Sequence, residues 1–319
     1  MGVALRTALF WAIYRVTERA PVMQQPIDKV RAASDLRNKV LSLPPSRLIT
    51  GRPDKSVEIT ESSCPIGDGV ELPLRIYRPV TAGETPPVIV NYHGGGWVSG
   101  TPKQSEWWSA GIAARTGAVV VSPQYRLAPE HPFPGPVEDC YAATEWIAAH
   151  GDELGVDTSR LAVMGDSAGG NLAAVVSLLA RDRKGPKIAL QLLIYPSVDF
   201  ATDYPSETEN AHAPILSKKD TKNIPALYLQ GADEKDPLAS PIFADHHDLP
   251  PALIQTAEFD PLRDQGPAYA AALRTAGVPV RLTNYVGAVH GYISLPNVCP
   301  ASRQALAEAA AGLREALAP

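Results

Sequence analysis

Residues 165–170 read Gly-Asp-Ser-Ala-Gly-Gly, between the apolar run 161–164 and a stretch of helical composition, 171–179. A Gly-x-Ser-x-Gly sequence at this place is typical of a sharp strand-to-helix turn. Its glycines are needed because the two backbones come too close for a Cβ, and the middle serine is left exposed. We therefore interpret Ser167 as a candidate nucleophile. The alternative is that Ser167 only caps the following helix.

Composition limits the class of protein. The chain has 319 residues, 45% of them hydrophobic, which is enough for a sizeable core. Its formal charge is -5 and no block of basic residues occurs, so nucleic acid is not expected as a partner. Cys64, Cys140 and Cys299 are widely separated and form no Cys-x-x-Cys pair, which indicates neither a disulfide framework nor a zinc site. We expect apolar fillers in a reducing, cytoplasmic compartment.

The N-terminal segment 3–16 is apolar, but Arg6 and Arg15 limit its uncharged stretch to eight residues. That is too short to cross a bilayer, so no transmembrane segment is predicted. Glu18 and Arg19 follow where a signal peptide would have a small-residue cleavage site. The pattern favours an amphipathic helix buried against protein, with peripheral contact to a membrane as the alternative.

Short β-rich runs alternate with helical stretches along the chain, which predicts an α/β fold with a mostly parallel sheet covered on both faces. We predict eight strands, near 56–61, 72–78, 88–92, 118–123, 161–165, 189–195, 252–258 and 280–286. Helices are expected near 104–116, 136–150, 167–183, 261–276 and 302–317. The turn-rich sequence at 65–69 indicates an antiparallel hairpin between the first two strands.

Two parts fall outside this alternation. We predict that residues 1–50 form N-terminal cap helices over a catalytic domain of residues 51–319, and that a cap insertion lies at about 200–222. The final strand, near the edge of the sheet, is a candidate for pairing in a homodimer.

Partners for Ser167 follow from chain order. A serine needs a base and the base needs an orienting carboxylate, and after this kind of turn they follow in the order acid, then histidine. Asp260 stands just after a predicted strand, and His290 is the only later histidine. The alternative is a helix-capping Asp260 and a core His290. Less well placed acids are Glu258, Asp264 and Asp236.

Donors for a developing oxyanion are expected from Tyr92-His-Gly-Gly-Gly-Trp97, which follows a predicted strand. Consecutive glycines can turn backbone amides inward, and the amide of Ala168 would complete the site. A phosphate-binding nest is the alternative, but no Gly-Lys-Ser/Thr sequence accompanies the glycines.

Five sequence motifs, in this order along the chain, together indicate a resemblance to a known protein family. They are His-Gly-Gly-Gly-Trp at 93–97, Tyr-Arg-Leu-Ala-Pro-Glu-His-Pro-Phe-Pro at 125–134, Gly-Asp-Ser-Ala-Gly-Gly-Asn-Leu at 165–172, Asp-Pro-Leu-Arg-Asp at 260–264 and His-Gly-Tyr at 290–292. Over roughly residues 70–295 the chain resembles the bacterial hormone-sensitive lipase family of α/β-hydrolase esterases. The resemblance implies a carboxylesterase without metal or organic cofactor, a helical cap, and small-molecule esters with short- to medium-chain acyl groups as substrates.

By the same resemblance, Ser167 is the nucleophile, His290 the base and Asp260 the orienting acid. The oxyanion donors are Gly95, Gly96 and Ala168, with Gly94 as an alternative to Gly96. Candidate substrate-binding residues near the glycine loop are Trp97, Trp107 and Trp108, with packing in the core or cap as the alternative.

Three further alternatives stay open. The same scaffold could hydrolyse amides or formamides, or bind a ligand without turnover. The sequence Asp-His-His-Asp at 245–248 resembles a metal site in composition, but a solvated loop is favoured because adjacent side chains diverge. Arg126 is expected to form a structural ion pair with Glu138 or Asp139.

Overall fold

The computed structural model of the protein describes residues 27–29, 31–32 and 47–319. The predicted N-terminal amphipathic helix lies outside these residues, as does most of the predicted cap segment 1–50. From that segment the structure describes the helical residues 27–29 and 31–32 and the short helix Arg47–Thr50.

One eight-stranded sheet forms the centre of the described chain, in the order β1-β2-β4-β3-β5-β6-β7-β8. The strands are β1 Val57–Pro65, β2 Glu71–Pro79, β3 Pro87–Tyr92, β4 Val119–Pro123, β5 Asp157–Asp166, β6 Ile188–Ile194, β7 Ala252–Phe259 and β8 Val280–Val289. Strand β2 is antiparallel to both β1 and β4, and all other neighbours are parallel. The predicted α/β fold, its eight strands and its first hairpin are confirmed.

The described part of the chain contains six longer helices. They are α1 Glu106–Thr116, α2 Gly135–Ala149, α3 Ala168–Asp182, α4 Lys218–Leu229, α5 Gln265–Thr275 and α6 Ala301–Ala316. Shorter helical segments are Pro102–Ser105, Gly151–Leu154, Pro205–Glu209, Pro241–Phe243 and Tyr292–Ser294.

The helices cover both faces of the sheet because side chains alternate along each strand. In β3, Val88 and Val90 belong to one hydrophobic cluster, which also holds residues of α2, α3 and α5. Ile89 belongs to the other cluster, with residues of α1 and α6. This alternation of the central strands between two cores fixes the register of the sheet.

Helix α5 begins at Gln265, four residues later than predicted. The reason is a turn at Asp260, whose carboxylate accepts the amide of Leu262 at 2.8 Å and whose carbonyl accepts the amide of Arg263 at 3.0 Å. The carboxylate therefore competes with helix formation at this point.

Helix α4 was not predicted, because it begins with a polar run and contains Pro225. Its start nevertheless carries a sequence signal. The Ser217 side chain accepts the amide of Asp220, and the Asp220 carboxylate accepts the amide of Ser217, which is a capping box.

The connection between β6 and β7, residues 195–251, contacts the turn after β7 through its short helix Pro205–Glu209. Ser206 Oγ donates to the carbonyl of Pro261 at 2.8 Å, and Asn210 Nδ2 donates to the carbonyl of Asp260 at 3.2 Å. This connection is longer than the cap insertion predicted at 200–222, and the cap itself stays a prediction.

Several smaller predictions can be compared with the described residues. The three cysteines are buried and unpaired, as expected of apolar fillers. Arg126 forms its ion pair with Asp139, at 2.6 Å, whereas Glu138 pairs with Arg183.

Two further predictions concern a membrane and a second copy of the chain as partners. Among the described helices none is long and apolar enough to cross a bilayer. Strand β8 is an edge strand, and the homodimer stays a prediction.

Candidate active site

Ser167 occupies the tight turn between β5 and α3. Its backbone has φ 57° and ψ -118°, a conformation that residues with a side chain rarely adopt. A Cβ on Gly169 would overlap the carbonyl oxygen of Tyr92, and one on Gly165 would overlap the backbone of Gly169. Only glycine fits on both sides, so the chain turns sharply and places the half-buried serine at the carboxyl edge of the sheet.

His290 follows β8 and Asp260 follows β7, so both lie at the same edge of the sheet as Ser167. His290 Nε2 is 2.9 Å from Ser167 Oγ, and His290 Nδ1 is 2.7 Å from Asp260 Oδ2. A carboxylate only accepts hydrogen bonds, so Nδ1 carries the proton and Nε2 is left to accept from the serine hydroxyl. The structure therefore brings the three predicted residues together, with Asp260 fully buried.

The other three candidate acids bind elsewhere. Each accepts a hydrogen bond from a backbone amide: Glu258 from Gly287, Asp264 from Ser206 and Asp236 from Leu238. Asp260 is thus the acid whose carboxylate contacts the histidine.

The glycine loop after β3 lies against the Ser167 turn. The amide of Gly94 donates to Asp166 Oδ1 at 3.0 Å, so it is already engaged and the structure contradicts its predicted role as an alternative oxyanion donor. The amides of Gly95, Gly96 and Ala168 donate no hydrogen bond within the described part of the chain. Gly95 has φ 128°, and a Cβ there would overlap the carbonyl of Ser99, so this position accepts only glycine.

Two buried titratable groups support the loop. Burial lowers the pKa of His93 to about 4, so its ring is neutral near pH 7. That ring stacks on Tyr125 with centroids 4.2 Å apart, which fits a bracing role. Burial raises the pKa of Asp166 to about 6, so its carboxylate is mostly ionised above that pH.

Comparisons with known proteins identify the family of the chain. A model of the α/β-hydrolase fold family matches residues 89–294. The chain is 45% identical over 256 residues to carboxylesterase NlhH of Mycobacterium tuberculosis, covering 78% of this chain and 80% of that protein. The chain belongs to the hormone-sensitive lipase family of carboxylesterases.

Two further similar proteins match over more of the chain. An ethyl acetate hydrolase of Pseudomonas putida is 34% identical over 280 residues, which cover 85% of this chain and 87% of that protein. The crystal structure of a thermostable esterase from Pseudomonas putida matches with a TM-score of 0.91 and 34% identity, covering 100% of this chain and 98% of that one. The resemblance predicted from the five motifs is confirmed.

The predicted substrate-binding tryptophans of this family member are mostly core residues. Trp97 is 2% exposed and stacks on Tyr228 with centroids 4.5 Å apart, and Trp108 is 1% exposed. The structure contradicts the prediction for these two, because neither offers surface to a ligand. Trp107 is half-buried beside the guanidinium of Arg303, 5.9 Å from its ring centroid, and its role stays a prediction.

Two isoleucines of the β6–β7 connection lie beside the site. Ile224 of α4 packs on the glycine loop, since a Cβ on Gly96 would be 2.7 Å from its Cγ2. Ile215 packs near Gly291, the residue after His290, where a Cβ would be 3.3 Å from its Cδ1. Ile215 has φ 69°, which is rare for a β-branched residue. In the sequence neither isoleucine belongs to a motif, so no clear signal identifies them.

Proposed function

We propose that this chain hydrolyses short- to medium-chain carboxylic esters through an acyl-enzyme on Ser167. The observation that carries the proposal is the pair of hydrogen bonds from Ser167 Oγ to His290 Nε2, 2.9 Å, and from His290 Nδ1 to Asp260 Oδ2, 2.7 Å. They join a half-buried hydroxyl to an imidazole whose tautomer is set by a buried carboxylate. Membership of a carboxylesterase family supports an ester as the substrate.

In the first step, Ser167 Oγ forms a bond to the acyl carbon while its proton passes to His290 Nε2. The π electrons of the carbonyl move to its oxygen and give a tetrahedral oxyanion. When this intermediate collapses, the bond to the alcohol oxygen breaks, and that oxygen takes the proton from Nε2. The alcohol leaves and the acyl group stays on Ser167. Asp260 stabilises the imidazolium throughout.

In the second step, water replaces the alcohol. His290 Nε2 takes a proton from the water, whose oxygen attacks the acyl carbon. When the second tetrahedral intermediate collapses, the bond between Ser167 Oγ and the acyl carbon breaks, Oγ takes the proton from Nε2, and the carboxylic acid leaves. The amides of Gly95, Gly96 and Ala168 are the donors for the oxyanion in both steps, each worth roughly 3 kcal/mol in the transition state. Neither step calls for a metal or an organic cofactor.

Covalent labelling tests the nucleophile. A p-nitrophenyl alkylphosphonate is expected to release p-nitrophenol stoichiometrically and to add one phosphonyl group to the peptide that contains Ser167, because the activated oxygen attacks phosphorus as it attacks an acyl carbon. Mass spectrometry of a digest reads the site. Heat-unfolded protein is the control and should stay unlabelled. A label on another residue of the folded protein would contradict the assignment.

The same preparation distinguishes the alternative functions. Phenyl acetate is expected to be hydrolysed, whereas acetanilide, which has the same acyl group and a nitrogen leaving group, is expected to react far more slowly. Faster hydrolysis of the anilide would assign the chain to the amidases. A ligand-binding protein without catalysis would show neither turnover nor labelling.

We further propose that the β6–β7 connection forms a cap that limits the length of the acyl group. Ile224 and Ile215 support this, because their side chains lie beside the glycine loop and beside the residue after His290. A relative of similar length that is named an ethyl acetate hydrolase is consistent with small esters.

Shortening Ile224 tests this limit. In Ile224→Ala, the ratio of octanoate to acetate ester hydrolysis, measured as kcat/KM, is expected to rise about tenfold, because the loss of the outer side-chain carbons makes room beside Gly96. Ile242→Ala is the matched control, since Ile242 lies in the same connection and packs against the hydrophobic core. An unchanged ratio in Ile224→Ala, or an equal rise in Ile242→Ala, would argue against Ile224 as a boundary of the pocket.

A further inference from the structure

Asp166 is a buried carboxyl group beside Ser167 that the proposed reaction leaves unused. Its Oδ1 accepts the amide of Gly94 at 3.0 Å, and its Oδ2 accepts the hydroxyl of Tyr195 at 3.4 Å. The ring of Tyr195 in turn packs against His290, with centroids 4.6 Å apart. The Asp166 side chain thus connects the Ser167 turn between β5 and α3, called the nucleophile turn below, to the glycine loop.

The peptide between residues 93 and 94 is held at both ends. Its carbonyl, on His93, accepts the hydroxyl of Tyr125 at 2.7 Å, and its N-H, on Gly94, donates to Asp166. Because a peptide unit is planar, these two bonds fix the orientation of the whole unit.

The next two peptide units carry the free amides. The carbonyl of Gly94 accepts Gln104 Nε2 at 2.9 Å, and the carbonyl of Gly95 accepts the amide of Ser99 at 3.0 Å. In a trans peptide the carbonyl and the following N-H point in opposite directions. The N-H groups of Gly95 and Gly96 are therefore directed away from these partners. Their orientation depends on the position of the preceding peptide unit, between residues 93 and 94.

We propose that Asp166 is the positioning residue of this loop, whose carboxylate anchors Gly94 so that the amides of Gly95 and Gly96 face the oxygen of an acyl group on Ser167. The inference rests on the proposed function, since it names what holds the oxyanion donors of that reaction. Tyr125, Gln104 and Ser99 all come from outside the nucleophile turn. Asp166 is the neighbour of Ser167 in the chain, so its bond sets the distance between nucleophile and donors.

Removing the acceptor and restoring it tests the proposal. At pH 8, where the Asp166 carboxylate is ionised, kcat of Asp166→Ala is expected to fall about fiftyfold with a KM change below about threefold, because oxyanion donors act in the transition state. Affinity for a trifluoromethyl ketone with the same acyl group, which forms an oxyanion on Ser167, should fall by a similar factor. Asp166→Asn keeps an oxygen acceptor for Gly94 and is expected to recover kcat to within about fivefold of the original protein.

The outcomes that overturn the proposal are specific. They are a kcat of Asp166→Ala within twofold of the original protein, an Asp166→Asn variant as slow as Asp166→Ala, or a KM effect without loss of inhibitor affinity. Asp166→Leu fills a similar volume without an acceptor and replaces the alanine variant if that variant does not fold.

Ser177→Ala is the matched control for loss of a buried polar group. Ser177 lies on α3, about 15 Å along the helix from Ser167, and its hydroxyl binds the carbonyl of Ala173. It should keep the original kcat and inhibitor affinity. Failure of the proposed function gives a different result, since Ser167→Ala would then retain turnover and the phosphonate would not label Ser167. Failure of the inference alone leaves both of those results intact.

Discussion

Turnover of a short-chain aryl ester is expected to fall by a factor on the order of 10⁵ in Ser167→Ala, because without the hydroxyl no acyl-enzyme forms and the base has no proton to take. Ser167 is half-buried and its replacement by alanine removes only a hydroxyl and no apolar group of the core, so the melting temperature should change by only a few degrees. Steady-state hydrolysis, followed with enzyme at micromolar concentration, and thermal unfolding measure the two effects.

Ser177→Ala is again a suitable control, since it removes a serine hydroxyl from the helix that follows the nucleophile turn. It should retain turnover close to that of the original protein. If Ser167→Ala hydrolysed the ester at the original rate, after contamination by other esterases had been excluded with the phosphonate, Ser167 would not be the nucleophile.

The second large effect is expected at Asp260. In Asp260→Asn the side-chain amide nitrogen can donate a hydrogen bond to His290 Nδ1. The imidazole proton then lies on Nε2, so Nε2 can no longer accept a hydrogen bond from Ser167. A tautomer reversal of this kind lowers kcat about 10⁴-fold in a serine hydrolase triad. Because the amide oxygen can still accept the backbone N-H of Leu262, the turn after β7 should keep its shape.

Asp264→Asn separates this effect from a general loss of carboxylate charge near the site. Asp264 accepts the amide of Ser206 and pairs with Arg263, and His290 is not among its contacts. Its kcat should stay within about threefold of the original protein, as expected of a residue outside the reacting groups. If Asp260→Asn kept the original kcat and Asp264→Asn lowered it, Asp264 rather than Asp260 would be the acid that orients His290.

The sequence predicts the sheet and the reactive groups because their signals are local or follow chain order. The run of glycines around Ser167 specifies one turn, and the order of Asp260 and His290 after it follows from parallel strands that present their carboxyl ends at one edge. The residues that follow each strand could therefore be assigned to this edge without knowing which strands are adjacent in the sheet.

The parts that the sequence does not reveal depend on contacts between distant segments. Gly94 differs from Gly95 and Gly96 because a carboxylate 72 positions away takes its amide. Trp97 and Trp108 are close to the glycine loop in the chain, but packing turns both into the interior. Helix α4 was missed because its polar start and Pro225 outweighed the capping box at its first turn.

The short helix Pro205–Glu209 has a consequence for redesign. Ser206 of this helix and Asn210, which follows it, donate hydrogen bonds to the backbone carbonyls of Pro261 and Asp260, and the same connection contains Ile215 and Ile224. In the proposed mechanism, the same connection therefore affects both the selectivity for acyl length and the rate of hydrolysis. A variant in which this connection is replaced by that of a relative should therefore keep the side-chain hydroxyl at position 206 and the amide at position 210. Without their hydrogen bonds, we expect a change in substrate preference to be accompanied by a lower kcat.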